Sequence, residues 1–178
     1  MVEAAFVTPV FLALLLGLME IGLYMNDYLA VANTVRGGAR AASVAGNDMY
    51  ADYYILQAIK EESAAIPRQQ IQDIVVYKAT AFGTDPNANC LAGTAVAGQC
   101  NVYHAGDLDK AESHFGCIVS ENLDYYWCPT TRSVLGSGAG PDYVGVYIHI
   151  THPWITKMFG SGQDITDESV IRLEPQQF

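Results

Sequence analysis

Four cysteines, two carboxylates set in apolar sequence, and four histidines are the residues of this chain able to do more than solvate its surface. Cys90, Cys100, Cys117 and Cys128 fall in one stretch of the C-terminal half, among Gly, Asn and Ser, and none of them forms the CxxC knuckle of a zinc site. An even, clustered set of this kind predicts two disulfides, which form and persist outside the cytoplasm. Cys90–Cys100 and Cys117–Cys128 are the favoured pairs, because each closes a short loop of turn-forming residues. Each bridge adds on the order of 3 kcal/mol by restricting the unfolded chain. His149 and His152 are three apart, which turns them to opposite faces of a strand, while His104 and His114 have no carboxylate at a ligand spacing. Asp164, Asp167 and Glu168 in GQDITDES could offer oxygens to Ca²⁺, but they lack the spacing of an EF-hand, so a capped turn is expected there. No Ser or Cys has the His–Asp company that activates a nucleophile. The expectation is a chain that is not an enzyme and holds neither metal nor cofactor.

The two carboxylates are Glu3 and Glu20. Between them, Ala4 to Met19 reads AAFVTPVFLALLLGLM without a charge, and the apolar character resumes at Ile21, Leu23, Tyr24 and Met25. A helix over residues 4 to 25 spans roughly 33 Å, close to the hydrocarbon thickness of a bilayer. An acidic side chain inside such a segment costs about 2–3 kcal/mol, so both glutamates ask for partners, and a plain lipid-facing anchor does not supply them. A cleaved secretory signal would need a basic flank and a small-residue cleavage site, and here the polar pattern runs smoothly on into NDYLAVANTVRGGARAASVAG, which still reads as helix. The basic residues, Arg36 and Arg40, lie on the far side of the apolar run, so the positive-inside rule predicts that a basic leader has been removed ahead of Met1. Small residues, Ala13 and Gly17 within the run and a Gly/Ala-rich block from Ala30 to Gly46, let helices approach closely. Pro9 either starts the regular helix, with Thr8 as its cap, or opens a local kink.

The elements that would carry these residues form one exported head behind the helix. Asn47 and Asp48 can cap a second helix ending at Pro67, with Tyr53, Leu56, Ile59 and Ile66 at helical spacing. Three strands are expected: 71–81, 143–151 with Val144, Val146, Ile148 and Ile150 on one face, and 168–174. The fold class is α+β, a long N-terminal apolar helix (1–46) leading into a globular head (47–178) with a short second helix, an antiparallel sheet and a disulfide-stapled insertion at about 82–141. The balance of 9 Lys+Arg against 19 Asp+Glu, a net charge of −10, excludes a basic face for nucleic acid. Tyr24 with Tyr28, and Tyr50, Tyr53 and Tyr54, suit half-wet contacts between subunits.

Glu3, Pro9 in an apolar run, the Gly17 to Gly22 stretch with Glu20, and Arg36–Gly37–Gly38–Ala39–Arg40 followed by alanines together resemble the N-terminus of TadE-like proteins of the tight-adherence branch of type IV pili. The C-terminal YVGVYIHITHPWITKMFG and SVIRLEP are similar to that family's closing strands. The resemblance implies a pilin or minor pilin that is cut by a prepilin peptidase, held in the cytoplasmic membrane, and placed by an assembly platform in a cell-surface filament with copies of itself or related pilins. It implies assembly through Glu3, Pro9, Ala13, Gly17, Glu20, Tyr24, Arg36 and Arg40. In such pilins the entrance glutamate meets the N-terminal amine of the adjacent subunit. It stands fifth after the cut where Glu3 stands third, so either Met1 is not the native first residue or the pairing geometry differs. The alternative from a different class is a monomeric, membrane-tethered module for adhesion or ligand binding.

Overall fold

The computed structural model describes residues 2–135, 140–157 and 159–175, and the side chains of residues 2–5 lie outside that description. Helix α1 runs from Val2 to Ala45, 44 residues rich in Ala, Leu and Val. It is about 66 Å long at 1.5 Å per residue. Pro9 lies inside it, so the reading of Pro9 as the helix start gives way to the interior one. A proline there cannot donate to the carbonyl four residues back, and the helix continues past it. Gly46, at φ +57°, ends the helix in the left-handed conformation that glycine adopts without strain. Asp48 then accepts the Tyr50 N–H at 2.8 Å, and α2 follows over Ala51–Glu62, burying Ala51, Asp52, Ile55, Leu56 and Ile59 on one face.

Four strands form an antiparallel sheet in the order β2-β1-β3-β4: β1 Ile71–Ala79, β2 Cys100–Tyr103, β3 Tyr143–Pro153 and β4 Gly162–Arg172. Ile74 pairs with Ile148, Val76 with Val146, and Ile150 with Ile165. These side chains pack with Val31 and Val35 of α1 and Ile55 and Ile59 of α2 into the main core. The second half of α1 is therefore a wall of the head, and the division expected at residue 46 marks a change of chain direction within one packed unit.

Two features depart from the expected strands. β2 lies inside the insertion, where CNVY is too short to show alternation. β4 begins at Gly162 rather than 168, so GQDITDES is strand and not a capped turn. The antiparallel ladder along β3, with His152 opposite Gln163, overrides the weak strand preference of Asp and Gln.

The insertion is tied down rather than loose. The chain joins Cys90 to Cys100 and Cys117 to Cys128. The first bridge packs with Val75 and Tyr77 on the outer face of the sheet. A buried ion pair holds the rest: Arg132 Nη2 meets Asp52 Oδ1 of α2 at 2.5 Å, both side chains being wholly buried. The Tyr103 hydroxyl and Asn101 amide donate to Asp52 Oδ2 at 2.6 and 2.8 Å, and Arg132 lies 4.2 Å over the Trp127 ring. Burial first, and then the Asp52 carboxylate, push the Tyr103 hydroxyl well above its usual pKa, so it stays a donor. Asp124 accepts the backbone N–H of Gly116 and Cys117 at 2.9 Å each, holding Cys117 at φ +47°.

Asp52→Ala leaves Arg132 buried without its charge partner and is expected to cost about 3–5 kcal/mol, read as a lower denaturation midpoint of the full chain in detergent. The adjacent glycines of α1 should separate cleanly. A Cβ on Gly38 would stand 2.9 Å from Ile59 Cγ1 and 3.3 Å from Val146 Cγ1 in the core. At Gly37 it would meet only the Glu62 side chain, which can swing into solvent. Gly38→Ala should destabilise by about 1–3 kcal/mol through overpacking, while Gly37→Ala should be neutral or gain up to about 1 kcal/mol of helix propensity.

Candidate functional site

The surface that stands out is the first half of α1. Phe6, Val7, Val10, Phe11, Leu14 and Leu18 are exposed, Phe6 by 76% and Leu18 by 68%. The helix is long and apolar enough to cross a membrane, and its most apolar window is only 6% buried, which separates it from the core helix of a soluble fold. Pro9 and Ala13 lie on this bare half, and Gly17 lies where it ends. Glu3 falls in the first turn of α1, and its side chain lies outside the described residues.

The bare half meets the head at a polar and aromatic seam. Glu20, Tyr24 and Asp27 follow one another at helical spacing on one face of α1. They meet the end of β3 and the connection to β4. Glu20 Oε1 accepts the backbone N–H of Thr156, while Oε2 is buried without a hydrogen bond. The Tyr24 ring stacks on Trp154 at 5.6 Å and meets His152 edge-on at 5.7 Å. His152 Nδ1 donates to Asp27 Oδ2 at 2.6 Å, since a carboxylate can only accept. Trp154 packs on Phe159 at 5.3 Å, and the Phe159 ring reaches to within 4.0 Å of where a Cβ on Gly17 would stand.

Glu20, 2% exposed, is engaged by its own head, and Tyr24, partly buried, packs against the same head through one side of its ring. The partner that a carboxylate needs in an apolar segment comes from position 156 of the same chain. Asp27 joins this face by a spacing from Glu20 and Tyr24 that the sequence carries, although nothing in its local pattern marks it as buried. Nothing local signals His152, which lies 125 residues away.

Arg36 and Arg40 lie on the opposite, exposed face of α1 with Leu29, Asn33 and Val44, and among the described residues neither pairs with a carboxylate. Tyr50 and Tyr53 pack against their own core, Tyr53 on Phe115 at 5.5 Å, whereas Tyr28, Tyr54, Tyr125 and Tyr126 are exposed. His149 and His152 do face opposite ways. His149 lies between Asp73 and Asp164 at 3.6 and 3.5 Å on the outer side of the sheet, with His104 3.3 Å from Asp73. Among the described residues no group of three or more such side chains is arranged to hold a metal ion.

Residues 1–40 match the family model described as TadE-like protein, a span that takes in the bare half of α1 and, of the seam, only the helix residues Glu20, Tyr24 and Asp27. No curated protein and no solved structure matches the chain.

A hollow on the outer face of the sheet brings Asp85, Asp167 and Glu168 together beside Tyr147. Desolvation first, and then the Asp85 carboxyl, raise the pKa of Glu168, with the Tyr77 hydroxyl donating to it at 3.2 Å as a partial offset. A carboxyl raised on folding binds its proton more tightly in the native state, so it lowers stability as pH rises through the window from its unfolded to its folded value. Glu168→Gln removes that penalty and still accepts from Tyr77. It should raise the melting temperature at neutral pH and leave it unchanged at pH 3, as read by thermal scans at both.

Proposed function

We propose that this chain is a structural subunit, a pilin or minor pilin, of a tight-adherence type IV filament, and that it has no catalytic role. The observation that carries this reading is the division of α1, whose second half is core to its own head while the first half is bare, apolar and uncovered by its own chain. Such a surface has two natural environments, the bilayer before assembly and the packed helices of neighbouring copies after it. The TadE-like match over residues 1–40 supports the same reading, and brings with it a prepilin peptidase, an assembly platform, and a passage from cytoplasmic membrane to cell surface as partners and locations.

In this reading the exposed Ala13 and the half-buried Gly17 admit a neighbouring helix, and Glu3 supplies the charge that meets the amine of the adjacent subunit. Arg36 and Arg40 face outward from the head and remain available to a second copy. A head-to-tail arrangement of this kind repeats without closing, which is what a filament requires.

A second reading, a monomeric tethered module that binds a surface ligand, is favoured by one feature. The loop closed by Cys117–Cys128 presents Ile118, 75% exposed, with Val119, Tyr125 and Tyr126. Glu3→Leu separates the two. A filament subunit should lose surface filaments from the sheared fraction while its amount in the membrane stays constant. Filaments at wild-type level would reject the charge pairing, and binding that persists in a strictly monomeric protein with α1 residues 6–19 replaced by leucine would favour the tethered module.

A further inference from the structure

The connection between β3 and β4 clasps α1 at the place where the helix leaves the head. Its inner side is the seam already described: Trp154 on Tyr24, the Thr156 N–H on Glu20, and Phe159 reaching to Gly17. Its outer side is bare and apolar. Ile155 is 68% exposed and Phe159 52% exposed, and between them Lys157, also exposed, turns the backbone at φ +58°. Phe159 shares one apolar groove with Val10, Ala13, Leu14, Gly17 and Ile21, so the surface of the bare helix continues without a break onto this connection.

The distance along the helix places that surface. From Val2 to Glu20 a helix rises about 27 Å, nearly the hydrocarbon thickness of a bilayer, so with its first turn at one boundary Glu20 stands at the other. We propose that the β3–β4 connection is a lipid-contacting tip, in which Ile155 and Phe159 enter the outer boundary of the bilayer and the Lys157 ammonium meets lipid phosphate. The Tyr24–Trp154 pair lies at the same level, where amphipathic rings favour the interface. Two apolar side chains flanking one long cation match a headgroup layer lying over acyl chains. The bare helix half of a second copy would offer Lys157 no anion at this height, since Phe6 to Met19 carries no charge. The tip thereby fixes the depth of α1 and keeps the Glu20 carboxyl, including its unpartnered oxygen, out of the acyl chains. This inference rests on the membrane-resident stage of the proposed function.

The test uses the full-length protein in phosphatidylcholine vesicles, with Ile155→Trp as a reporter whose added emission is read against the unaltered chain. The added emission should be blue-shifted and quenched about twofold more by nitroxides near the headgroup than by nitroxides at the acyl chain end, as interfacial aromatic side chains are. Lys157→Glu should weaken that quenching. Water-like, unquenched emission with α1 still resistant to carbonate extraction would place the tip in water and overturn the inference while leaving membrane residence intact. Blue-shifted emission that depends on protein concentration and ignores lipid nitroxides would assign the tip to a second copy, and so reject the lipid contact. Extraction of the whole chain by carbonate would remove the membrane stage itself, and the tip contact with it.

Discussion

One helix must satisfy two different surroundings along its length, and the rest of the molecule follows from that constraint. Over its first half α1 is apolar on every side, and its own chain covers almost none of it. Over its second half the stripe through Val31, Val35, Ala39 and Ala42 is wholly or almost wholly buried, and the opposite face mixes Arg36 and Arg40 with Leu29 and Val44. A helix with a single apolar face can be a wall of a head, whereas one that is apolar all round needs lipid or other helices. The small residues serve the second half most visibly. Gly38 lets Ile59 and Val146 approach so closely that a methyl group would not fit, so the Gly/Ala block packs the helix against its own α2 and sheet.

The buried carboxylates show how such a head is held in register. Glu20, Asp27 and Asp52 are each at least nine-tenths buried, and each finds its partner far along the chain, at positions 156, 152 and 132. Removing charges from water costs several kcal/mol per ion, and the attraction recovered inside seldom exceeds that cost, so these pairs contribute more to placement than to net stability. Their effect is topological. Asp52 locks the insertion to α2, Asp27 locks β3 to α1, and Glu20 locks the β3–β4 connection to the foot of the bare helix.

Under the proposed function, the seam also lets one surface serve both a membrane and a filament. With Glu20 and Tyr24 engaged internally, the bare half of α1 offers nearly continuous hydrocarbon from Phe6 to Met19. A surface without polar groups of its own can exchange acyl chains for neighbouring helices with little change in solvation, since lipid tails are as apolar as leucine side chains. What distinguishes the two environments must then come from charges at the ends of that surface, Glu3 at one end and Arg36 and Arg40 beyond the other.

Much of this was legible in the residues themselves. The absence of charge from Ala4 to Met19, the even cysteine count and the alternation of Val144, Val146, Ile148 and Ile150 each depend on local pattern, and local pattern is enough to specify a long apolar helix, an α+β head and a buried sheet face. The TadE-like match over the first 40 residues is legible for the same reason, whereas the C-terminal likeness to that family's closing strands lies outside the matched span. The tertiary structure decided what depends on contacts across the chain. It turned GQDITDES into strand because β3 had an edge to pair, and it made CNVY a strand because β1 lay beside it. It also turned Glu20 and Tyr24 inward, joined Asp52 to Arg132 across 80 residues, and seated the β3–β4 connection on α1. No periodicity announces such pairs, because the free energy that selects them is released only when both partners leave water together.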